Sequence, residues 1–153
     1  LIEASWLSCR NEEYGYESQV RENLTRLLLL IGDGRPQMLM ENAEKYRRYN
    51  ERTKQMLTFI KRHFGEELSV RAIADSASIS ESECLRCFRK ILDTSPIAYL
   101  KTYRLQRAAE LLETTSRKVS DIAAQCGFGE MSYFAKSFRE IYRCTPSQYR
   151  SRT

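Results

Sequence analysis

The chain has 153 residues, 42% of them hydrophobic, which is ordinary for one or two small globular domains. Its longest apolar run, Leu27–Ile31, is too short to cross a membrane, and no basic segment precedes an apolar stretch with a cleavage site. Three Pro and six Gly disfavour both disorder and a turn-rich β fold, and the abundance of Leu, Arg, Glu, Ala and Ser favours helices. The absence of a starting Met suggests a piece of a longer protein.

The net charge of +5 is unevenly distributed along the chain. Residues 1–50 contain seven Lys and Arg against eight Asp and Glu, whereas residues 51–153 contain eighteen against twelve. A compact basic domain most often binds phosphate or an acidic surface, although a charge of +6 also suits a merely soluble domain.

The five cysteines are odd in number, and their spacing suggests no disulfide framework. Cys84 and Cys87 could form half of a zinc site, but Cys126 and Cys144 lie 18 residues apart and His63 is the only histidine. We therefore predict no metal, no cofactor and reduced thiols, as in a cytoplasmic protein.

Two helical stretches are predicted before residue 50. Apolar residues recur every three or four positions from Tyr16 to Ile31, and the breaker cluster Gly32–Pro36 ends this amphipathic helix. A second stretch, Met38–Arg52, lacks a continuous apolar face and is interpreted as a linker or an interaction helix. We place the boundary of the compact domain near residue 50.

An internal repeat follows this boundary. Phe88–Leu100 matches Phe138–Arg150 at an offset of 50, while Val70-x-x-Ile73-Ala74 matches the segment from Val119 at an offset of 49. The extra residue of the second copy is predicted near Gly127–Met131, and the chain contains one supersecondary unit twice.

Each copy has the pattern of a helix-turn-helix, a short capped helix followed by a tight turn and a longer helix. Ser69 and Ser120 are predicted to cap the short helices, and Ser80 to cap the longer helix of the first copy. The apolar positions predicted to face inward on the longer helices are Cys84, Cys87, Phe88 and Ile91 in the first copy and Tyr133 or Phe134, Ser137 or Phe138, and Ile141 in the second. Because this pattern occurs twice with basic flanks, it favours DNA binding over a generic helical bundle.

A long helix is predicted between the two units. Ser95 and Pro96 supply an N-cap and an N1 proline, and the apolar spacing continues to Glu113. About eighteen residues give a length of roughly 27 Å, so the two longer helices could enter successive major grooves about 34 Å apart.

Residues 55–151 resemble the DNA-binding domain of the AraC/XylS family of bacterial transcription regulators. The second unit carries the family pattern in IAAQCGFGEMSYFAKSFREIYRCTPSQYR, the segment from Ile122 to Arg150. The matching positions are Ile122, Ala123, Gly127, Phe128, Ser132, Tyr133, Phe134, Phe138, Pro146, Tyr149 and Arg150. The sequence departs from the pattern at Arg143 and Cys144, where the family often has a glycine.

The resemblance implies an all-α fold with two helix-turn-helix subdomains, at about 55–92 and 119–143, joined by a helix at about 95–113. Residues 51–153 would form the DNA-binding domain of a cytoplasmic, nucleoid-associated transcription regulator, activators included, with RNA polymerase as a possible partner. Residues 1–50 resemble the helices after a cupin-like sensor domain, which would bind a small-molecule effector and allow a homodimer through these helices. The alternative is an amphipathic helix that simply covers the DNA-binding domain.

The exposed faces of the longer helices supply candidate DNA contacts. By resemblance, the residues in positions that contact bases are Ser82, Leu85, Arg86, Met131, Ser132, Ala135 and Lys136. Arg86 and Lys136 are the strongest candidates because their side chains can donate to guanine acceptors. The residues predicted to contact phosphates are Arg89, Lys90, Arg139 and Arg143, with Arg71 and Lys118 as additions and Arg104 and Arg107 serving either phosphates or solvation.

Acidic residues at the start of the first reading helix oppose easy DNA binding. Glu81 and Glu83 suit a helix N-terminus but repel phosphates, although Glu81 could accept from a cytosine amino group. We expect them to be structural, and we expect the second unit to be the stronger anchor.

The sequence bears on three rival functions. The sequence lacks a nucleophile elbow, a phosphate-binding Gly-rich loop and a metal cluster, so we expect no enzyme. A helical protein-interaction module with redox-sensitive Cys84 and Cys87 is the alternative to DNA binding. RNA binding is disfavoured because the aromatic residues fall on buried stripes.

Overall fold

The computed structural model describes residues 21–25 and 36–151, and all regular secondary structure within them is helical. Residues 21–25 form part of the helix predicted at 16–31, whose other residues lie outside the described ranges. The all-α prediction is confirmed. None of the helices in the described ranges is long and apolar enough to span a membrane.

The helices from residue 36 onward follow the predicted order. They are α1 (Pro36–His63), α2 (Val70–Asp75), α3 (Glu81–Leu92), α4 (Pro96–Thr114), α5 (Val119–Gln125), α6 (Met131–Tyr142) and α7 (Pro146–Arg150). α2 and α3 form the first helix-turn-helix, and α5 and α6 form the second.

Helix α1 continues the stretch predicted at Met38–Arg52 across the domain boundary predicted near residue 50. It runs without interruption because no Gly or Pro occurs between Pro36 and Gly65. The chain divides into two compact parts between Arg48 and Tyr49, within this helix. The assignment of residues 1–50 to the end of a sensor domain stays a prediction.

Two hydrophobic cores lie within residues 49–153, one in each helix-turn-helix unit. The first surrounds Phe88 of α3 and Ile60 of α1, and the second surrounds Phe134 and Phe138 of α6. Burying one such aromatic side chain contributes roughly 1.5–3 kcal/mol, so each cluster can stabilise its own unit.

Helix α4 belongs to both cores. Its Leu100 is buried in the first cluster, whereas Leu105, Ala108 and Leu112 are buried in the second. The helix accordingly packs against α2 and α3 on one side of the molecule and against α5 and α7 on the other. Because one continuous helix contributes to both cores, packing and not a flexible linker joins the two helix-turn-helix units.

The repeated turns have matching backbone conformations. Ser78 and Gly127 both have positive φ, 53° and 78°, and the amide of the next residue bonds back to the short helix in both copies. The longer helix then begins after Ser80 in the first copy and after Glu130 in the second. The extra residue of the second copy therefore lies between Phe128 and Glu130, within the predicted interval.

Most predicted helix caps are confirmed. The side chains of Ser69, Ser80 and Ser95 each accept a backbone N–H of the helix that follows. Ser120 was the wrong cap: α5 begins after Lys118, and the Ser120 hydroxyl, already inside the first turn, donates to the Asp121 carboxylate.

The inward face of α6 differs from the prediction near its end. Phe134, Ser137 and Phe138 are buried as expected, but Ile141 is 44% exposed. Tyr142 takes the inner place instead, because its ring packs against those of Phe138 and Tyr149.

The guanidinium of Arg104 connects the two units. It donates from Nε to the Phe64 carbonyl oxygen at 2.7 Å and from Nη2 to the Glu66 carbonyl oxygen at 2.6 Å, just beyond α1. Gly127 lies against this guanidinium, so that a Cβ there would sit 2.8 Å from its central carbon. Gly65 makes a second close approach, since its Cβ would be 2.8 Å from the Gln125 carbonyl oxygen.

We predict that Gly127→Ala lowers the free energy of unfolding by about 1–3 kcal/mol. The alanine would be forced into the left-handed region and would also displace a guanidinium pinned by two hydrogen bonds. Gly129→Ala is the matched control, because its Cβ meets nothing within 4 Å and its φ is not positive. Urea denaturation should show Gly129→Ala within about 0.5 kcal/mol of the parent chain. Equal losses for the two variants would contradict the role given to Gly127.

Candidate DNA-binding interface

The two reading helices, α3 and α6, bury corresponding stripes. Cys84, Cys87 and Phe88 are buried on α3, and the residues 50 positions later, Phe134, Ser137 and Phe138, are buried on α6. Since 3.6 residues make a turn, fixing this stripe also fixes which side chains face outward. The same outward positions are therefore presented in both units.

The candidate base contacts lie on these outward faces. Ser82, Leu85 and Arg86 are exposed on α3, as are Met131, Ser132 and Lys136 on α6. Ala135 is half-buried. Leu85 and Met131 remain 46% and 43% exposed, so each reading helix presents an apolar side chain beside its polar and charged groups.

The candidate phosphate contacts are exposed further along the same helices. They are Arg89, Lys90, Arg139 and Arg143. In the second unit, Arg139 and Arg143 line a shallow depression of about 470 Å³ together with Lys136 and Ser132. This depression brings predicted base contacts and predicted phosphate contacts onto one surface.

The start of α3 has a different electrostatic environment. The Glu83 carboxylate pairs with Arg86 through Nη1 at 2.6 Å and with Arg52 of α1 through Nη1 at 3.0 Å. Glu83 therefore holds a predicted base contact in an ion pair, and this agrees with the structural role expected for it. Arg52 was missed by the sequence analysis, because it lies 31 residues from Glu83 and no spacing rule connects them.

Arg104, for which phosphate binding or solvation was suggested, makes contacts within the protein that the sequence did not indicate. Its guanidinium is held by the carbonyl groups beyond α1, and burial lowers its pKa. Arg107 pairs with Glu110 one turn away on the exposed part of α4. Arg71 and Lys118 are exposed, with Arg71 4.0 Å from the Asp75 carboxylate.

Four cysteines are buried without a disulfide: Cys84, Cys87, Cys126 and Cys144. Burial raises the pKa of Cys84 and of Cys126 to about 11, and it also raises the pKa of Cys87. Within the described ranges no three His, Cys, Asp or Glu side chains come together in a way that could hold a metal ion.

Comparison with known proteins identifies the fold and the family. The family model described as "Helix-turn-helix domain" matches residues 73–152, more than half of the chain. An AraC-type transcriptional regulator from Chromobacterium violaceum superposes with a TM-score of 0.64 and 28% identity over 67% of this chain and 91% of that one. The chain belongs to the AraC/XylS family of transcription regulators.

Two further relatives extend this AraC-type assignment. The HTH-type transcriptional activator RhaS of Enterobacter sp. (strain 638) is 33% identical over 125 residues, which cover 82% of this chain and 43% of that activator. The DNA-binding domain of AdpA, solved in complex with a target DNA, has a TM-score of 0.62 and 28% identity over 64% of this chain and 88% of that one. The chain spans less than half the length of the curated relatives that it matches.

The backbone conformation at Arg143 explains why the family often has a glycine near this position. This residue ends α6 in the left-handed conformation, with φ of 60°, and Asp93 ends α3 in the same way with φ of 51°. A residue at this place in a helix C-terminus is most often Gly, because Gly has no Cβ to clash there. Arg143 thus retains a charged side chain at a strained position.

We predict that Arg143→Gly raises the free energy of unfolding by about 0.5–1 kcal/mol, because the left-handed strain is relieved. The same variant should weaken DNA binding and reduce the salt slope of log affinity by about 1, as expected for a lost phosphate contact. Urea denaturation and DNA titrations at several salt concentrations measure the two effects. Arg143→Lys, which retains both strain and charge, is the control and should change neither; lower stability of the glycine variant would contradict the prediction.

We also predict that the four buried thiols are unreactive in the folded chain. A pKa of about 11 instead of 9.0 lowers the thiolate fraction of Cys84 and Cys126 near pH 8 by about a hundredfold, and burial blocks access as well. A Cys9→Ser variant retains only the four buried cysteines, so it should react with a disulfide reagent only after denaturation. Rapid labelling of Cys84 or Cys87 in the native state would support a redox-sensitive module.

The same pKa direction affects stability at high pH. Folding raises the pKa of Cys84 and of Cys126 to about 11. Their contribution to the free energy of unfolding is therefore complete below about pH 9 and is lost as the pH rises through about 11. Ionisation of Cys84 and Cys126 should therefore lower the free energy of unfolding only in this alkaline range.

Proposed function

We propose that this domain reads double-stranded DNA by inserting α3 and α6 into successive major grooves on one face of the duplex. The supporting observation is that two repeated units present corresponding exposed helix faces while sharing helix α4, which contributes buried residues to both cores. A helix of 19 residues is roughly 28 Å long, close to the distance of about 34 Å between successive turns of the groove.

Base reading is assigned to the outward residues near the start of each helix. They are Ser82, Leu85 and Arg86 in the first unit, and Met131, Ser132, Ala135 and Lys136 in the second. Arg86 and Lys136 can donate to the acceptor edge of guanine, and the apolar Leu85 and Met131 can contact a thymine methyl group. The exposure of these side chains supports the assignment.

Phosphate binding is assigned to the basic residues further along the helices, Arg89, Lys90, Arg139 and Arg143. Such contacts set the register and the affinity but carry little sequence information. The second unit is the stronger anchor in this proposal, since no ion pair within the described ranges occupies Lys136, whereas Arg86 is paired with Glu83.

The whole protein is proposed to be a cytoplasmic transcription regulator. The similarity to the transcriptional activator RhaS over 43% of its length supports a larger chain in which this domain is one part. Control by a small-molecule effector would require a further domain, homodimerisation would use the N-terminal helices, and an activator would act through RNA polymerase. Each of these partners is carried by the family resemblance.

Selection of binding sites from a randomised duplex pool tests the proposal. The 153-residue chain should recover two short conserved blocks about 10 base pairs apart, and its affinity should fall steeply with salt through counterion release. Binding without enrichment would overturn sequence reading. No binding at low salt would favour the protein-interaction module instead.

Two neighbouring cations of the second unit then separate reading from anchoring. Lys136→Gln should relax the base preference at one position of one block, with discrimination falling by about 1–3 kcal/mol. Arg139→Gln should weaken all duplexes equally and reduce the salt slope by about 1. A uniform loss in the Lys136 variant would reassign Lys136 to phosphate binding.

A further inference from the structure

The carboxylate of Glu83 lies between two guanidinium groups. One of its oxygens accepts from Arg52 Nη1 at 3.0 Å and the other from Arg86 Nη1 at 2.6 Å. Arg52 is on α1, whereas Glu83 and Arg86 lie one turn apart on α3. We call these three residues the Arg52–Glu83–Arg86 triad.

The triad has an inner and an outer side. The Glu83 side chain is 21% exposed, while that of Arg86 is 56% exposed. The carboxylate thus sits beneath the outward face of α3 and fixes Arg86 at the surface. Within the described ranges, one of the five N–H donors of the Arg86 guanidinium is used, which leaves most of them for another acceptor.

The two ion pairs of the triad differ in what they contribute to stability. The part-buried Arg52–Glu83 pair links α1 to α3, whereas the i,i+3 pair with the 56% exposed Arg86 contributes little, because water and salt screen it. A carboxylate at the start of a DNA-reading helix also repels phosphates. The pairing of Glu83 with Arg86 is therefore better explained by a role in the reading itself.

The second unit lacks this arrangement. At the offset of 50, Tyr133 replaces Glu83 and Lys136 replaces Arg86. The ring of Tyr133 is 52% exposed and lies 5.5 Å from Lys101 Nζ. Since the second copy folds with the same backbone and no carboxylate here, the triad is not required by the helix-turn-helix scaffold.

We propose that Glu83 is a positioning residue for base recognition by the first unit. It holds the Arg86 guanidinium in one orientation, and Arg52 neutralises the carboxylate that would otherwise repel the DNA backbone. A planar guanidinium recognises guanine through two parallel hydrogen bonds, so its orientation determines selectivity. The inference rests on the proposed function, in which Arg86 contacts a base.

Substitutions in and around the triad test the positioning role by their effect on selectivity. Each is titrated with a labelled synthetic duplex carrying the selected site and with one in which the base pair read by Arg86 is exchanged. Glu83→Gln retains the size of the side chain but not its charge, and it should lower the affinity ratio of the two duplexes at least about fivefold. Arg86→Ala should lower the ratio at the same base pair.

The double variant Arg52→Gln/Glu83→Gln separates orientation from charge. It has the net charge of the parent chain, so its affinity for the exchanged duplex should stay close to that of the parent, yet the ratio should still fall. Glu81→Gln is the matched control, because it removes the same charge from the same first turn of α3. It should raise the affinity for both duplexes and leave the ratio at the Arg86 base pair unchanged.

The variants retain the helix cap, because the Ser80 side chain accepts from the backbone N–H of residue 83. Thermal unfolding verifies each fold, and Glu83→Asp provides a second variant in which charge is kept but reach is shortened; it should lower the ratio as well.

The failures can be distinguished. If Arg86→Ala lowers the ratio but both Glu83 variants keep it within about twofold of the parent, positioning by Glu83 is overturned and base reading by Arg86 stands. A higher ratio in Glu83→Gln would likewise overturn it, since Glu83 would then compete with the base. If Arg86→Ala leaves the ratio unchanged, or if the parent chain selects no site, the base contact itself is wrong and the positioning role falls with it.

Discussion

The two helix-turn-helix units meet at the guanidinium of Arg104. This one group binds the carbonyl oxygens of Phe64 and Glu66 beyond α1 and lies against Gly127 in the turn of the second unit. Carbonyl groups at a helix C-terminus lack partners within the helix and carry partial negative charge, so a cation there is favourable. Although burial lowers its pKa, an arginine remains charged at neutral pH. The bonds therefore add to the packing of α4 in joining the first unit to the second.

The repeat shows which glycine the fold requires. Ser78 and Gly127 occupy the same left-handed turn, so positive φ by itself does not exclude a side chain. The difference lies in the tertiary contact: a Cβ at residue 127 would meet the Arg104 guanidinium. Asp93 and Arg143 show the same principle at the ends of α3 and α6, where charged residues adopt a conformation that Gly would adopt with less strain. The backbone of the unit is thus preserved while its side chains differ.

The same backbone presents two electrostatically different surfaces. In the first unit Arg86 is paired with a carboxylate that Arg52 also contacts, whereas the second unit gathers Lys136, Arg139 and Arg143 around one depression. A paired cation loses less side-chain freedom on binding but attracts phosphates less strongly, because part of its charge is already neutralised. The arrangement suits a division of labour in which one unit contributes selectivity and the other affinity. Such a division would suit the proposed reading of two adjacent grooves, since a rigid connection makes the second contact intramolecular.

The sequence alone determined the helical fold, the repeat, the caps of α2, α3 and α4 and the outward faces of the reading helices. These features depend on residues close together in the chain: apolar spacing identifies the buried stripe, and Ser69, Ser80 and Ser95 accept the first free N–H groups of their helices. Only the tertiary structure decided the roles of Arg52 and Arg104, which depend on partners 31 and 40 residues away. Ile141 was misplaced for a similar reason, because the ring of Tyr142 stacks on Phe138 and on Tyr149 of α7 and takes the inner place. Local periodicity fixes which face of a helix is buried, but the partner of a long charged side chain is set by the packing of whole helices.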